Sequence, residues 1–519
     1  MTWRENQWRP QRFRTAPRFF FLSVFALLVV ILGCWTYASP LVAGPDEQAH
    51  LIRAYALDHG QIGTPTNPPD KVRVDFNVPT SVYYTKIYPG CWQFIDTHPA
   101  TCTLPWDTST TPIITNDYVG HYPPLYYSLV GLGSFYSPEP PGLYAMRLLS
   151  GVLSATMLAL AAYVIARWGR RRSMVMGLYV AITPLVYFLG SVVNPSGFEI
   201  ATAICIWTML CVIALDYRGN PPRSLVALLG VVSVIFTLIR GLSSFWLFLA
   251  ALVFIILMSP RQVIALVKTR RDVQYLIGAL VASGTVAATW ILTQGTLNVL
   301  PVGYPVPPKA GMVEVVKLVL KQVSFWVRQC VGVLGWLDTV FPHFVYQTWY
   351  FLVPVLFLIA LIRAQWSQRL ALCVVGGLAI VVPIAIVARQ AHVLGIVWQG
   401  RDSMPLTVGI VILSAALVGR PGSTLPLARL AMMATVCAIA LVNMFAFYSN
   451  LKRYAVGRHG PRLFFLHNQG WSPPTGQVPT LVVFGLATTL LAALLVTWIW
   501  QFDEPSFNPR SLKIGRLGR

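Results

Sequence analysis

Residues 44–55 read GPDEQAHLIRAY and follow directly after the first long apolar run of the chain, residues 19–38. Proline is favoured in the first turn of a helix, where its missing N–H is not needed, so we expect a helix that starts at Pro45. On such a helix Asp46, His50 and Arg53 share one face. Two adjacent acids therefore stand at the mouth of a membrane span. Acids are also favoured at a helix N-terminus without any function, and this explains Asp46 and Glu47 equally well. The rest of the chain must decide between a functional and a purely structural role.

The composition is that of a membrane protein. Of 519 residues, 55% are hydrophobic and only 11% are charged, whereas soluble domains carry roughly 25% charged residues. Many separate apolar runs of about 20 residues predict an all-α polytopic membrane protein. The net charge of +21 comes from short basic clusters between these runs. That distribution is typical of membrane topology, so we expect a lipid bilayer and no nucleic acid as a partner.

The apolar runs predict about twelve transmembrane helices. Besides residues 19–38, they lie at 143–166, 173–191, 198–215, 224–239, 242–259, 273–295, 343–362, 370–388, 405–419, 430–448 and 479–501. When the intervening segments are assigned alternately to the two sides, one side receives 23 of the 39 Lys and Arg residues but only five of the 18 acids. Basic residues stay in the cytoplasm. We therefore predict a multi-pass protein of the bacterial plasma membrane with both termini in the cytoplasm.

This topology divides the chain into three parts. Residues 1–18 form a cytoplasmic N-terminal tail, residues 19–501 a transmembrane domain, and residues 502–519 a basic cytoplasmic tail. Within the transmembrane domain, the segments 39–142, 296–342 and 449–478 are predicted to lie outside. The segment after Gly311 has polar residues at helical spacing and predicts an amphipathic helix in the interface.

Two cysteines are candidates for a disulfide. Cys91 and Cys102 lie in the predicted outer segment 39–142, whereas most of the other cysteines lie in apolar runs. An extracytoplasmic location would favour a bond between them. No CxxC or HExxH spacing indicates a zinc site.

The charged residues are placed for chemistry at the outer surface. Several acids and arginines fall at the predicted outer ends of spans, and the span centres are almost free of charge. Ion-coupled carriers usually place ionisable groups at mid-membrane. No Walker or GxGxxG loop indicates a nucleotide. An enzyme that works outside without nucleotides needs another activated donor, and a lipid-phosphate-linked sugar meets that need.

Five motifs occur along the chain: PDEQAHLIRAYAL (45–57), YPPLYY (122–127), NPSG (194–197), GWLDTVFP (335–342) and WQGRDSMP (398–405). In this order they resemble a family of predicted membrane proteins from actinobacteria and other bacteria that carries a PDE-x-x-H-x-x-R-A motif. The family is grouped with the GT-C glycosyltransferases, which use polyprenyl-phosphate sugars. The resemblance implies a GT-C-like fold with a large first extracytoplasmic loop, and a role in building the cell envelope or cell wall.

The resemblance also implies roles for the residues in these motifs. In GT-C enzymes an acid of the first external loop is the usual catalytic base. Asp46 is therefore the candidate base, and Glu47 is the second candidate catalytic residue. Either Glu47 or His50 would orient Asp46 or tune its pKa. The candidate substrate-binding residues are His50, Arg53, Tyr122, Asn194, Arg240, Asp338, Arg389, Gln399, Arg401 and Arg453.

The reaction requires a base for the acceptor hydroxyl and a cation for the departing phosphate. Arg401 is the best candidate for phosphate binding because it lies at an outer span boundary within a motif. Arg240, Arg389 and Arg453 are weaker candidates, and contact with lipid headgroups explains each of them equally well.

The predicted function is the transfer of a sugar from a polyprenyl-phosphate donor to an envelope glycan or glycolipid outside the membrane. No cofactor is required, although Asp46, Glu47 and Asp338 offer oxygen ligands for Mg²⁺ or Ca²⁺ as an alternative. Two other functions are open: a transporter or flippase of a lipid-linked saccharide, and a non-catalytic scaffold of an envelope-glycan assembly complex.

Overall fold

The structure is a computed structural model that describes residues 17–67, 70, 72–217, 220–296, 303–419 and 426–501. The predicted C-terminal tail 502–519 and residues 1–16 of the N-terminal tail lie outside the described residues. The helices of the described chain are α1 (Pro17–Tyr37), α2 (Glu47–Asp58), α3 (Thr80–Tyr83), α4 (Pro124–Val130), α5 (Pro140–Trp168), α6 (Ser173–Ala181), α7 (Pro184–Gly190), α8 (Pro195–Val212), α9 (Arg223–Thr237), α10 (Ser243–Met258), α11 (Pro260–Thr269), α12 (Arg271–Gln294), α13 (Met312–Gly332), α14 (His343–Arg363), α15 (Trp366–Leu394), α16 (Gly400–Val418), α17 (Pro426–Val456) and α18 (Gln477–Gln501).

The prediction of an all-α polytopic membrane protein with about twelve transmembrane helices is confirmed in its architecture. Within the described ranges, nine helices are long and apolar enough to cross a membrane, or up to eleven if the bent pairs α6–α7 and α10–α11 each make one span. The predicted span 224–239 corresponds to α9, which has only 15 residues. At 1.5 Å per residue it covers about 22 Å, less than the roughly 30 Å of a hydrocarbon core.

Helix α8 forms the centre of the bundle. All of its residues are buried, which agrees with a sequence that is apolar on every side rather than along one stripe. Its start is specified locally: Pro195 occupies the first helical position, and the Asn194 side chain accepts a hydrogen bond from the Ser196 N–H. Helices α5 and α16 pack against α8, and α1 packs against α5.

Segment 39–142 is folded rather than extended. After α2 it contains a three-stranded antiparallel sheet of β1 (Thr64–Pro65), β2 (Val74–Pro79) and β3 (Pro112–Asp117), in the order β1-β2-β3. Alternate residues of β2 are buried, with Val74, Phe76 and Val78 on the inner side. Cys91 and Cys102 form a disulfide in the stretch between β2 and β3.

The helix predicted after Gly311 is present, and α17 extends into the predicted outer segment 449–478. The stretch after Gly311 is α13, which runs from Met312 to Gly332 and ends at a two-stranded sheet of β4 (Val333–Leu334) and β5 (Thr339–Val340). It is not among the helices apolar enough to span a membrane. Helix α17 continues to Val456, within the predicted outer segment 449–478, and carries Arg453 in its last turn.

Candidate active site

The site is built on the turn between α1 and α2. The predicted helix start at Pro45 is wrong: α2 begins at Glu47, and Asp46 is the N-cap residue in the left-handed region (φ 60°). Asp46 makes no side-chain cap bond. Instead the Glu47 carboxylate reaches back and accepts the Gly44 N–H at 2.9 Å. The side chain of Asp46 is therefore free to point away from its own helix.

The two oxygens of Asp46 have different partners. Arg401 Nη2 lies 2.6 Å from Oδ2, and the Tyr118 hydroxyl donates to Oδ1 at 2.9 Å. Burial raises the pKa of Asp46, but the positive charge of Arg401 and the hydrogen bonds from Arg401 and Tyr118 outweigh burial, so the pKa lies below its usual range. The carboxyl group is ionised at neutral pH. Its side chain is 30% exposed, so Asp46 is accessible.

Glu47 does not share this environment, and its geometry argues against the predicted catalytic role. The side chain is fully buried, and Arg147 donates to both of its oxygens, from Nε and Nη2, at 2.6 Å each. The N–H groups of Gly44 and Val193 complete its set of donors. A carboxylate with four donors and no exposed surface has no oxygen available for a substrate. Glu47 therefore holds α2 to α5 and to the start of α8.

His50 and Arg53 lie behind Asp46 and are also buried. His50 Nδ1 forms a hydrogen bond with the Tyr127 hydroxyl at 2.8 Å. Burial lowers the pKa of His50 to about 3, although Asp46 raises it, so the imidazole is neutral. Arg53 donates to the carbonyl groups of Ile62 and Tyr122. The predicted binding role of Arg53 thus becomes a structural one, because it secures the segment that follows α2.

Arg240 is held next to Arg401 by acids from two helices. In the turn between α9 and α10, its Nη1 lies 3.0 Å from Glu199 and its Nη2 lies 3.3 Å from Asp402. Ser243 donates to the other oxygen of Glu199 at 2.7 Å. Tyr122 faces the same group of charges, since it interacts electrostatically with Asp46, Arg240 and Asp402. The structure therefore brings Asp46, His50, Tyr122, Arg240 and Arg401 together.

Arg401 is incompletely paired. Only its Nη2 has a partner, while Nε and Nη1 are buried without a hydrogen-bond partner among the described residues. Unpaired buried donors are costly, and more so on a charged group. A guanidinium group with two unused donors matches the geometry of a phosphate or carboxylate.

Asn194 and Gln399 fix the backbone that carries Asp46 and Arg401. The Asn194 amide donates to the Pro45 carbonyl at 2.9 Å, which fixes the turn that carries Asp46. Gln399 is the N-cap of α16 and forms a capping box with Asp402, so it fixes the helix start that presents Arg401. Both were predicted to bind substrate, but their side chains are engaged in these structural bonds.

Three further predicted residues lie away from the cluster. Asp338 pairs with Arg453 at 2.8 Å, and both side chains are almost fully buried. Arg453 also donates to the carbonyl groups of Trp92, Ile95 and His98, next to the disulfide. This pair therefore attaches segment 39–142 to α17. Arg389 is exposed on α15 and does not join the cluster.

The three acids considered as metal ligands do not converge. Each has its own arginine: Asp46 pairs with Arg401, Glu47 with Arg147, and Asp338 with Arg453. Among the described residues no group of three His, Cys, Asp or Glu side chains is placed to hold a metal ion.

An apolar cavity of about 660 Å³ starts within one turn of Arg401. It is lined by residues of α6, α13, α14, α15 and α16, including Trp326, Cys330, Trp349, Pro354, Ser403 and Met404. Ser403 and Met404 follow Arg401 on α16. Val327 and Ile380 line the cavity and are about half exposed, so it opens at the surface of the helix bundle.

The sequence profile of DUF2142, described as a predicted membrane protein family, matches residues 27–410. The chain belongs to this family. The match covers the turn at Asp46, Arg240 and Arg401. No curated protein matches the chain. Among solved structures, the chain is similar to ArnT from Cupriavidus metallidurans bound to undecaprenyl phosphate, with 13% identity, a TM-score of 0.42, and coverage of 92% of this chain and 77% of ArnT. No residue role follows from a likeness this distant.

Proposed function

We propose that this chain is a membrane glycosyltransferase that transfers a sugar from a polyprenyl-phosphate donor to a hydroxyl group of an envelope glycan or glycolipid. The observation that carries the proposal is Arg401. One arm of its guanidinium group lies on the ionised Asp46, and the two remaining donors are buried and unpaired. A lipid phosphate would supply the missing acceptors.

The apolar cavity supports a lipid-linked substrate. Its walls are almost entirely apolar, it opens at the surface of the helix bundle, and it begins at Ser403 and Met404, which follow Arg401 on α16. A soluble sugar phosphate would gain nothing from such a cavity, whereas a polyprenyl chain would bury apolar surface there at roughly 25 cal/mol per Å². The head group would then lie at Arg401 with the chain in the membrane.

In the proposed reaction the acceptor hydroxyl gives its proton to Asp46 and its oxygen attacks the anomeric carbon of the donor sugar. The bond from that carbon to the phosphate oxygen breaks, and the electron pair leaves with the phosphate. Arg401 stabilises the departing charge, and Arg240 is held next to it by Glu199 and Asp402. A positioned base contributes typically about 10²–10⁴-fold. The proposal needs no metal, and Tyr122 and His50 form the wall of the site.

The basic segments of the sequence support an extracytoplasmic location for this site, because the positive-inside rule puts the turn at Asp46 outside. Labelling of engineered cysteines in segment 39–142 from intact cells tests this orientation. We expect these cysteines to react with a membrane-impermeant reagent. Reaction only after lysis would contradict this orientation and place the segment in the cytoplasm.

The test of function is a transfer assay with the purified protein in nanodiscs. Labelled polyprenyl-phosphate sugars serve as donors and envelope glycan extracts as acceptors. Asp46→Asn keeps the shape but removes the basic oxygen, so transfer should fall at least about 10²-fold. The matched control is Asp96→Asn, since Asp96 is a partly exposed acid that, like Asp46, pairs with an arginine, here the exposed Arg458. Normal transfer by Asp46→Asn would remove Asp46 as the base. Absence of transfer by the wild type with every donor would favour transport or a scaffold role.

A further inference from the structure

Tyr118 is the second partner of Asp46, and no sequence motif marks it. It follows the last residue of β3, and its hydroxyl donates to Asp46 Oδ1 at 2.9 Å across 72 residues of sequence. It is half-buried. Because Arg401 occupies Oδ2, the two oxygens of the carboxylate are held from opposite parts of the chain, one from segment 39–142 and the other from α16.

The backbone on both sides of Tyr118 is fixed. On one side, Asp117 is buried, pairs in register with Val74 of β2, and accepts the Val119 N–H at 2.8 Å. On the other, Gly120 packs so closely that an added Cβ would lie 2.0 Å from the Val74 side chain. Only glycine fits there. The sheet therefore determines where the Tyr118 hydroxyl lies, and this position is not set by contacts with Asp46 alone.

Asp46 has a strained backbone that also limits its freedom. Its φ of 60° is uncommon for a residue other than glycine, and such strain persists where the surroundings impose it. Arg401, in contrast, has two unpaired donors and gains from any anion that reaches them. The hydrogen bond from Tyr118 to Asp46 is thus held in place by the fold, whereas the ion pair of Arg401 with Asp46 is the contact that an anionic ligand can break.

We propose that Tyr118 is a positioning residue that keeps hold of Oδ1 of Asp46 while the donor phosphate draws Arg401 away from Oδ2, so that donor binding frees the base. This inference rests on the proposed function, because it assigns the phosphate to Arg401 and the base to Asp46. The freed Oδ2 accepts the proton of the acceptor hydroxyl. The acceptor oxygen then bonds to the anomeric carbon, and the phosphate leaves with the electron pair of the broken bond.

The electrostatic consequence follows from the groups that face Asp46. These are Arg401 from α16, His50 from α2, Tyr118 and Asp117 at the end of β3, and Tyr122 before α4. Burial raises the pKa of Asp46, while Arg401 and the hydrogen bond from Tyr118 lower it. Removal of either donor raises the pKa of Asp46. Since the ionised form is the base, the acidic limb of the rate profile then moves to higher pH.

The first experiment compares Tyr118→Phe with Tyr136→Phe in the transfer assay across the pH range. Tyr136 is 76% exposed and is the matched control. Loss of this hydrogen bond leaves the base less well positioned, so turnover at neutral pH should fall at least about tenfold. The acidic limb should move to higher pH in Tyr118→Phe and stay in place in Tyr136→Phe. An unchanged limb in Tyr118→Phe would overturn the proposal, even if turnover falls.

The second experiment needs no turnover. Infrared difference spectra of the wild type, with the Asp46 carboxyl band assigned from Asp46→Asn, report protonation of Asp46 as the pH is lowered. Addition of polyprenyl phosphate should move this titration to higher pH. No movement at a saturating concentration of bound polyprenyl phosphate would overturn the proposal. A wild type that transfers no sugar but shows the movement contradicts the proposed function and supports the switch, so the two can fail separately.

Discussion

Glu47→Gln separates a structural acid from a catalytic one. In the folded protein both oxygens of Glu47 lie 2.6 Å from Arg147 and neither side chain is exposed. Gln keeps one acceptor, but its amide group faces the N–H groups of Arg147 and Gly44, and the Arg147 charge loses its partner. Breaking a buried ion pair by removal of one charge costs about 3–5 kcal/mol. We therefore expect Glu47→Gln to lower stability much more than Asp46→Asn does.

The assay is thermal unfolding of both variants in nanodiscs, followed by tryptophan fluorescence, together with transfer below the unfolding temperature. Asp96→Asn is the control, since its ion pair with the exposed Arg458 is not buried. Glu47→Gln should unfold several degrees earlier than the wild type and retain transfer in its folded fraction. A Glu47→Gln protein that unfolds like the wild type but has lost transfer would refute this reasoning and return Glu47 to the chemistry.

Two other predictions concern a buried acid and the apolar cavity. Burial raises the pKa of Asp117 to about 7, so the folded protein keeps a proton that the unfolded chain loses above its usual pKa of 3.8, and stability falls as the pH rises between these values. Asp117→Asn should therefore raise the unfolding temperature at pH 8.5 and have little effect at pH 4.5; equal effects at both would contradict this. Gly377 lines the cavity and has open space around it, so Gly377→Leu should weaken binding of polyprenyl phosphate while the protein stays folded. Gly485→Leu, at a similarly open position on α18, should bind normally, and equal binding by both variants would contradict the assignment of the cavity.

The helices could be predicted from the sequence because apolar runs are local. The predicted span 143–166 corresponds to α5, Pro140–Trp168, and every other predicted span coincides with a helix or a bent pair. The length of a helix was harder to predict, as at α9, where the apolar run forms a helix of only 15 residues. The ends of helices could not be predicted where long-range contacts determine them. An example is the end of α17 at Val456, just beyond Arg453, which pairs with Asp338.

The site could be predicted in part. The motifs mark Asp46, His50 and Arg401, and the structure places all three in one cluster. The distinct environments of Asp46 and Glu47 could not be predicted, because they depend on partners 355 and 100 residues away. Tyr118 had no local signal at all. Its position depends on the register of β2 and β3, which no short pattern in the sequence specifies.

Binding of polyprenyl phosphate to the wild type, Asp46→Asn and Arg401→Ala in nanodiscs tests the central claim most directly. Arg401→Ala removes charge-assisted hydrogen bonds worth roughly 1.5–3 kcal/mol each, so its Kd should rise at least about tenfold. Arg458→Ala is the control, at an exposed arginine. Asp46→Asn should bind at least as tightly as the wild type, because Asp46 no longer competes with the phosphate for Arg401, and yet its transfer rate should fall at least about 10²-fold. Unchanged binding by Arg401→Ala, or weaker binding by Asp46→Asn, would contradict the account.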